Sequence, residues 1–459
     1  MDHEINEAHR YGAADKMKNN GDEITRQISN GDVEKQKTIQ GNAHFHRLGW
    51  KRLTIVLIVE AIALGSLGLP AAFASLGMVA GVILTIGIGL IAMYAAYIIG
   101  QVKLKYPHVA HYADIGKLMF GSFGSKLFST IFISQLILVT GSHCLTGTIA
   151  LTNITQSSVC TIVFGVISAF ILFLLAIPPS FTEIAILGYI DFASIILAIG
   201  ITMIATGIQN THEAPSEPWS AWPAKDLSFS KAIVAVNNIV FAYAFASAQP
   251  SFMEEMHTPR DYIKSVWALG IAEVFIYTLT GAIIYAFVGQ GVQSPALLSA
   301  GPLLSRIVFG IALPVIFISG SINTTVACRY FHGRIYRDSV TRYVNTTKGW
   351  VTWIGLVVIV TLIAWLIAEA IPFFSELLSI SSSLFVSGLS FYIPPVMWFM
   401  LLKDGTWHSK KNLRAAFYNA VVFIFGLVIL VCGTYACVVE LIEKFQNKAV
   451  GKPFTCSRS

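Results

Sequence analysis

Five ionisable side chains lie inside otherwise apolar stretches, and they are the first candidates for chemistry in this sequence. An ionisable group in apolar surroundings is costly, and it usually pairs with another group or faces a watery cavity in which a carboxyl can bind and release a proton. Glu60 follows a basic pair by about eight residues, roughly 12 Å along a helix. We therefore take it as the first proton-binding candidate of the set Glu60, His143, Asp191, Glu273 and Glu369.

Each of these side chains also has a purely structural interpretation. Glu60 could equally form a buried hydrogen bond or salt bridge that holds helices together. For Asp191 and Glu273, which lie nearer the basic ends of their segments, that interpretation is favoured. Glu369 is expected to contact water near a segment end, and His143 to be satisfied by local hydrogen bonds.

The first apolar segment contains two glycines and a proline near its middle. Proline removes a backbone donor and clashes with the preceding turn, so the pattern predicts an unwound stretch at residues 65–70. Unwound backbone at membrane depth is tolerated only where it is buried in protein or lines a cavity. We therefore assign Gly65, Ser66, Leu67 and Gly68 to a candidate binding site.

The sixth segment carries a second irregular stretch at residues 237–250, with small, aromatic and polar residues followed by Pro250. Interruptions in segments 1 and 6 favour two inverted five-helix repeats with a site at their interface. The ends of broken helices suit a zwitterion, because one end offers amide donors and the other carbonyl acceptors. Phe241, Ala242 and Tyr243 complete this candidate site. The alternative is that glycine, proline and small residues serve only close helix packing.

Hydroxyl and amide groups are concentrated in the eighth segment, at residues 319–325. Such groups can coordinate a cation or solvate a proton path, which makes Ser321 and Thr324 candidates for ion coupling. They can equally hydrogen-bond to neighbouring helices, which is their commoner use.

The elements that must position these residues are membrane helices. The 459-residue chain is 55% hydrophobic and 12% charged, outside the range of soluble domains. No paired metal-ligand motif or nucleophile elbow indicates an enzyme, and no cofactor, metal or nucleic-acid partner is expected. Hydropathy predicts eleven helices, at about 52–76, 78–100, 126–151, 160–177, 184–207, 231–252, 266–288, 303–328, 350–371, 376–400 and 415–441.

The basic residues predict the orientation of these helices. If alternate loops are assigned to opposite sides, 24 of the 31 Lys and Arg fall on the side of the amino terminus. Because cytoplasmic loops retain positive charge, the amino terminus is predicted to be cytoplasmic and the carboxyl terminus extracellular. Residues 1–43 are predicted to form a disordered cytoplasmic tail, residues 44–445 a transmembrane domain and residues 446–459 a short outer tail.

This topology leaves two cysteines on or near the outer surface, Cys160 and Cys456. It therefore permits a disulfide that ties the outer tail to the fourth helix. Asn153 begins an outer glycosylation sequence, although a simple polar turn close to the membrane is the favoured interpretation.

Several longer stretches resemble a known family. The first helix contains the stretch Ala63-Leu64-Gly65-Ser66-Leu67-Gly68-Leu69-Pro70. This stretch ends in the Gly-Leu-Pro typical of the amino acid/auxin permeases. From about His44 to the end, the chain resembles most the fungal neutral amino acid permeases of the methyltryptophan-resistance type. Further matches lie at residues 45–54, 176–181, 256–259 and 293–302. The family's usual Gly-x-Gly is Ala63-x-Gly65 here.

The resemblance implies an all-α polytopic fold of the LeuT-like inverted 5+5 repeat type, with broken helices 1 and 6. It also implies a plasma-membrane symporter that moves neutral aliphatic and aromatic amino acids together with protons across the lipid bilayer. Two alternatives stay open: an amino acid sensor without net transport, and a facilitator or exchanger. An ion channel is disfavoured, because no repeated pore segment is present.

Overall fold

A computed structural model of the chain describes residues 49–179, 181–212, 215, 217–247, 249–337, 339–447 and 453–456. The predicted amino-terminal tail lies outside these residues. The described part contains nine helices that are long and apolar enough to cross a membrane, together with two shorter apolar helices. All eleven predicted helices are present. They are α1 Trp50–Leu76, α2 Met78–Lys105, α3 Tyr112–Thr155, α4 Thr161–Leu175, α5 Phe181–His212, α6a Phe229–Ala242 with α6b Gln249–Glu254, α7 Tyr262–Val288, α8 Pro302–Ile335, α9 Thr347–Ala370, α10 Phe374–Leu402 and α11 Leu413–Gln446.

The interruption predicted in the first helix is wrong. Helix α1 is continuous, with Pro70 inside it. A proline is tolerated in a membrane helix when neighbouring groups compensate for the lost hydrogen bond. The glycines of α1 serve close packing instead: a Cβ added to Gly65 would lie 2.9 Å from the Cα atom of Ala242 on α6a.

The interruption predicted in the sixth helix is confirmed. Helix α6a ends at Ala242, and Tyr243 leaves helical geometry with φ −103° and ψ 33°. A 3₁₀ turn, Ala244–Ser247, follows before α6b begins at Gln249. Pro250 is the second residue of α6b. In the first turn of a helix an N–H group has no acceptor within the helix, so proline costs no hydrogen bond there. The proline therefore starts the second half-helix rather than kinking a continuous one.

Two other helices are irregular. Helix α3 is kinked at Phe120 and Gly121, where Gly121 has φ +64°. The kink explains why α3 begins earlier than the predicted residue 126, since a short segment precedes the membrane-spanning part. Helix α10 contains two π-helical stretches, Ser382–Tyr392 and Trp398–Leu402, on either side of Pro394 and Pro395.

Eight of the helices form two groups, which α5 joins. In the first group, α1 packs on α6a and α7, and α7 packs on α2. In the second, α3, α4, α8 and α9 pack on one another. Helix α5 packs on α8 of the second group and on α1 and α7 of the first. It therefore lies along the seam between the groups.

Small residues bring the helices together. In lipid there is no strong hydrophobic drive between helices, so close backbone approach and shape fit supply much of the stability. The ring of Tyr262 on α7 occupies the space that a side chain at Gly100 on α2 would need, and the side chain of Met93 does the same at Gly270. Large apolar residues such as Phe170, Ile359 and Val431 are more than half exposed on the outside of the bundle. That exposure fits a surface covered by lipid.

The two ends of the bundle are distinguished by the residues that they carry. We call the end at which α1 begins the basic face, and the opposite end, which carries Cys160, the disulfide face. On the disulfide face Cys160 and Cys456 form a disulfide, which confirms the pairing predicted from topology. Asn153 is the third-last residue of α3, and its side-chain oxygen accepts a hydrogen bond from Ser305 at 3.2 Å. Its place within a helix disfavours glycosylation.

Candidate substrate site

The break in α6 and the middle of α1 meet in the buried interior of the protein. Gly65 faces Ala242, the last residue of α6a, at a separation that leaves no room for a side chain. Two predicted site residues, 177 positions apart in the chain, are thus brought into direct contact. The structure joins the two segments as predicted, although only one of them is broken.

A tyrosine that sequence reasoning missed holds this contact in place. The hydroxyl of Tyr277 on α7 lies 2.8 Å from the carbonyl oxygen of Ala61 and 3.0 Å from that of Ala242. It can therefore donate to either helix while lying between the two. Tyr277 is fully buried, and its ring packs edge-on against Tyr243 with the centroids 5.2 Å apart. No local sequence signal marks Tyr277, because its partners come from other helices.

The remaining predicted residues of α1 have separate neighbours. Ser66 is fully buried, and its hydroxyl donates to the carbonyl of Ile62 in its own helix at 2.7 Å. Leu67 belongs to the core. A Cβ added to Gly68 would lie 3.4 Å from Leu378 on α10 and 3.9 Å from Asn238 on α6a. Gly68 therefore faces α10 and α6a, whereas Gly65 faces the break.

The aromatic residues at the break are buried. Phe241 is 5% exposed and Tyr243 fully buried. The Tyr243 ring packs over Gly89 of α2 and edge-on against Tyr277 of α7. Tyr243 therefore points toward α2 and α7.

A cavity of about 190 Å³ opens between α1 and α6a on the disulfide face. Two carboxylates that the sequence analysis did not single out line it, Glu376 and Glu440, each 3% exposed. Lys444 forms an ion pair with Glu376 at 2.6 Å, and the Ser230 hydroxyl donates to Glu440 at 2.7 Å. These contacts join α6a, α10 and α11 around the cavity.

A second cavity, of about 120 Å³, lies on the basic face beside α6b and α8. Glu254 at the end of α6b forms an ion pair with Lys103 of α2, and the next residue, Glu255, pairs with Arg329 of α8. The end of the second half-helix is therefore fixed to both helix groups. The closely packed Gly65–Ala242 contact lies between these two cavities.

His111 lines the same basic-face cavity, just before α3 begins. Its Nδ1 atom lies 3.0 Å from the Ser251 hydroxyl. Burial lowers the pKa of His111 to about 4, since a charged ring is poorly solvated there, and the nearby charges of Arg329 and Arg342 act in the same direction. The ring is therefore neutral over the physiological range.

The predicted ion-coupling residues have differing environments. Ser321 donates to the carbonyl of Ile318 at 2.7 Å, and Thr324 lies 3.3 Å from that of Gly320, both within α8. Thr324 also approaches Thr140 of α3 at 3.4 Å. These contacts match the helix-packing interpretation of the hydroxyl groups. The Glu60 side chain lies outside the described part of the structure.

Two solved structures define the fold class. The chain resembles Mhp1, a nucleobase-cation-symport-1 family transporter, in its closed conformation with bromovinylhydantoin bound. The TM-score is 0.55 at 14% identity, over 88% of this chain and 93% of Mhp1. It also resembles MhsT in complex with L-phenylalanine, with a TM-score of 0.54 at 14% identity over 83% and 98% of the two chains. The fold is thus that of a LeuT-like transporter.

The sequence identifies the family. Residues 46–439 match the model of the transmembrane amino acid transporter proteins, and the chain belongs to this family. It is 57% identical over 438 residues to the N amino acid transport system protein of Neurospora crassa, covering 94% of this chain and 93% of that protein. A transmembrane transporter of Fusarium pseudograminearum is 27% identical, over 95% and 93% of the two chains. The protein is a multi-pass amino acid transporter and not an enzyme.

Proposed function

We propose that this protein is a proton symporter for neutral aliphatic and aromatic amino acids in the plasma membrane, with its amino terminus in the cytoplasm. The observation that carries the proposal is the buried α6 break, packed against Gly65 and placed between cavities on opposite faces. A site at a broken helix, reached in turn from each side, is the arrangement expected for alternating access.

The break supplies partners for an amino acid backbone. The carbonyl end of α6a suits an ammonium group, and the amino-terminal end of α6b suits a carboxylate. Because α1 is continuous, these ends come from α6 alone, and α1 contributes the close approach of Gly65. The substrate must therefore separate or reshape the contact that Tyr277 bridges.

The side chains around the break favour a neutral substrate. All seven predicted binding residues are uncharged, so a charged substrate side chain would find no opposite charge among them. Those residues are Gly65, Ser66, Leu67, Gly68, Phe241, Ala242 and Tyr243. The relative from Neurospora crassa is named an amino acid transport system protein, and the MhsT structure contains L-phenylalanine, which supports the same substrate class.

The ion pairs at the two ends suggest how access alternates. Opening the basic face requires α6b to leave α2 and α8, which breaks the Lys103–Glu254 and Arg329–Glu255 pairs. Opening the disulfide face requires α6a to move from α10 and α11, which disturbs the contacts of Glu376 and Glu440. One set of contacts holds while the other opens.

The test is uptake into proteoliposomes that contain the purified protein. Labelled phenylalanine and leucine are compared with arginine and aspartate, with and without an inward proton gradient. Accumulation of the neutral pair that depends on the gradient supports the proposal. Uptake that only equilibrates would indicate a facilitator or exchanger, and binding without flux a sensor.

The predicted coupling role of Glu60 is tested in the same vesicles. Glu60→Gln is expected to weaken gradient-driven accumulation if this carboxyl carries the proton. Full accumulation with an unchanged pH dependence would remove Glu60 from that role. Ser321→Ala and Thr324→Val test the ion-coupling prediction in α8, and we expect small effects because both hydroxyls contact backbone carbonyls of α8.

A further inference from the structure

Asp191 is a fully buried carboxylate on α5, in the membrane-spanning part of the protein. Neither of its oxygen atoms has a hydrogen-bond partner among the described residues. The two buried carboxylates on the disulfide face are different, because Glu376 pairs with Lys444 and Glu440 accepts from Ser230. The structural interpretation of Asp191 therefore lacks the partner that it requires.

The helices around Asp191 offer no cation at its depth. Helix α5 packs on α8, α1 and α7 and on the 3₁₀ turn Ala296–Ala300, which has no ionisable side chain. Helix α8 has no charged residue between Arg306 and Arg329. The Ser194 hydroxyl donates to the carbonyl of Ile311 on α8, so those two positions lie at one level. Arg306 is then about 12 Å from Asp191 along the helix axes.

The other ionisable groups near this depth are acids. Beyond Lys51 and Arg52, α1 carries only one charged residue, Glu60, and beyond Lys264 α7 carries only Glu273. Glu60, Asp191 and Glu273 each lie about 15 Å along their helices from the ends at the basic face. Glu273, unlike Asp191, has an interaction partner within the described part of the protein. Nothing on these helices at this depth can neutralise an ionised Asp191 except a cation taken from solution.

We propose that Asp191 is the residue that binds and releases the coupled proton. This inference rests on the proposed symport activity. An ionised carboxylate is strongly disfavoured in a dry interior, so Asp191 holds a proton while the seam around it is closed. No bond other than the O–H bond forms or breaks. The proton enters from water on one side and leaves to water on the other.

The position of α5 explains how protonation and transport are coupled. Helix α5 lies along the seam between the two helix groups, packed on α8, α1 and α7. Movement of α1 away from α5 would admit water to Asp191. Water stabilises the ionised carboxylate, so the proton is released. Closing the seam again requires the carboxyl to be neutral. An empty, deprotonated carrier would therefore be held open until a proton returns.

The experiment compares Asp191→Asn with wild type in proteoliposomes. Substrate counterflow is measured without a gradient, accumulation under a two-unit inward proton gradient, and internal acidification with a trapped pH-sensitive dye. For one proton per substrate the gradient supports about 100-fold accumulation, a factor of ten per pH unit. We expect Asp191→Asn to retain counterflow, to lose substrate-driven acidification and to accumulate substrate no further than equilibrium.

Ser194→Ala provides the matched control. It removes a hydrogen bond between α5 and α8 one turn away without changing any charge. It is expected to retain both counterflow and accumulation. If it loses accumulation in the same way as Asp191→Asn, helix packing rather than proton binding explains the loss, and the inference is overturned.

The remaining outcomes are also decisive. Accumulation by Asp191→Asn equal to that of wild type would overturn the inference while leaving the symport proposal intact. Failure of wild type to accumulate under the gradient would refute the symport proposal itself. If a sodium gradient drives wild-type accumulation and a proton gradient does not, Asp191 does not serve a proton. Should Asp191→Asn not purify, the pH profiles of uptake by wild type and Asp191→Glu are compared, and identical profiles would overturn the inference.

Discussion

The contact between Gly65 and Ala242 makes a quantitative prediction about the centre of the protein. In Gly65→Ala the new Cβ would lie 2.9 Å from the Ala242 Cα atom, 2.9 Å from the Tyr277 hydroxyl oxygen and 3.0 Å from the Ala242 Cβ atom. Carbon atoms in favourable contact are about 3.5–4.0 Å apart, so α1 must move by roughly 0.5–1 Å. One of the two nearest atoms, the Ala242 Cα, belongs to the backbone and cannot rotate away.

Overpacking of this kind typically costs about 1–3 kcal/mol of stability. We therefore expect Gly65→Ala to unfold at a lower temperature in detergent, and its affinity for phenylalanine and its uptake rate to fall. Gly87→Ala is the matched control, because Gly87 is a helical glycine of α2 with no atom within 4 Å of an added Cβ. Alanine there is expected to be neutral or slightly stabilising, since it is the better helix former.

The result that would refute this reasoning is specific. If Gly65→Ala matches Gly87→Ala in unfolding temperature, substrate affinity and uptake, the close approach of α1 to the α6 break has no energetic importance. The double variant Gly65→Ala/Tyr277→Phe adds a further check. Loss of the hydroxyl removes one of the three close contacts but leaves the two to Ala242. Gly65→Ala is therefore expected to lower the stability of Tyr277→Phe by less than it lowers that of wild type, but not to be neutral.

Three further predictions concern single contacts. Tyr277→Phe should lower the unfolding free energy by about 1 kcal/mol, because it removes the hydrogen bonding between the α7 hydroxyl and the carbonyls of α1 and α6a; unfolding measurements that match wild type would contradict it. Cys160→Ser should free the 453–456 segment for proteolysis while uptake is retained; non-reducing mass spectrometry of wild type that finds both thiols free would exclude the bond, and Cys432→Ser is the control. His111→Asn should leave the pH profile of uptake unchanged between pH 5 and 8, because the ring is already neutral there; a shifted profile would show that His111 titrates in that range. The folded pKa of His111 is about 4, below the ordinary value of about 6.5, so wild type loses stability as pH falls through that window and His111→Asn should lose less.

The membrane helices were predictable because their signal is local. The hydropathy of a membrane helix depends only on the residues of that helix. All eleven helices could therefore be placed from hydropathy, with errors of several residues at their ends. The pairing of Cys160 with Cys456 was predictable for a related reason. Topology divides the cysteines between two sides and leaves few combinations.

The state of the helix breaks was harder to predict, because one local pattern has two physical outcomes. Pro70 inside α1 and Pro250 near the start of α6b both remove a backbone donor. In α6 the chain leaves helical geometry at Tyr243, while in α1 it continues unbroken. The difference depends on what packs against each stretch, and the contact of Gly65 with Ala242 joins residues far apart in the sequence.

Tyr277, Glu376 and Glu440 could not be assigned to the site from the sequence for the same reason. Tyr277 is one tyrosine in an apolar run, and its two acceptors come from α1 and α6a. Glu376 and Glu440 lie close to helix ends, where a carboxylate is normally hydrated. Their burial follows only from the meeting of α6a, α10 and α11 around one cavity.

The buried charges divide into two kinds, and the division bears on how a proton gradient could drive this carrier. The acids at the two faces have basic or hydroxyl partners, as Glu255 has Arg329 and Glu376 has Lys444. Each of these carboxylates already has a neighbour that offsets its charge or donates to it. Such contacts can hold a face closed. Asp191 has no such partner among the described residues, so its protonation depends on whether water reaches it. A group of that kind changes charge whenever the seam around α5 opens or closes, which is what coupling to a proton requires.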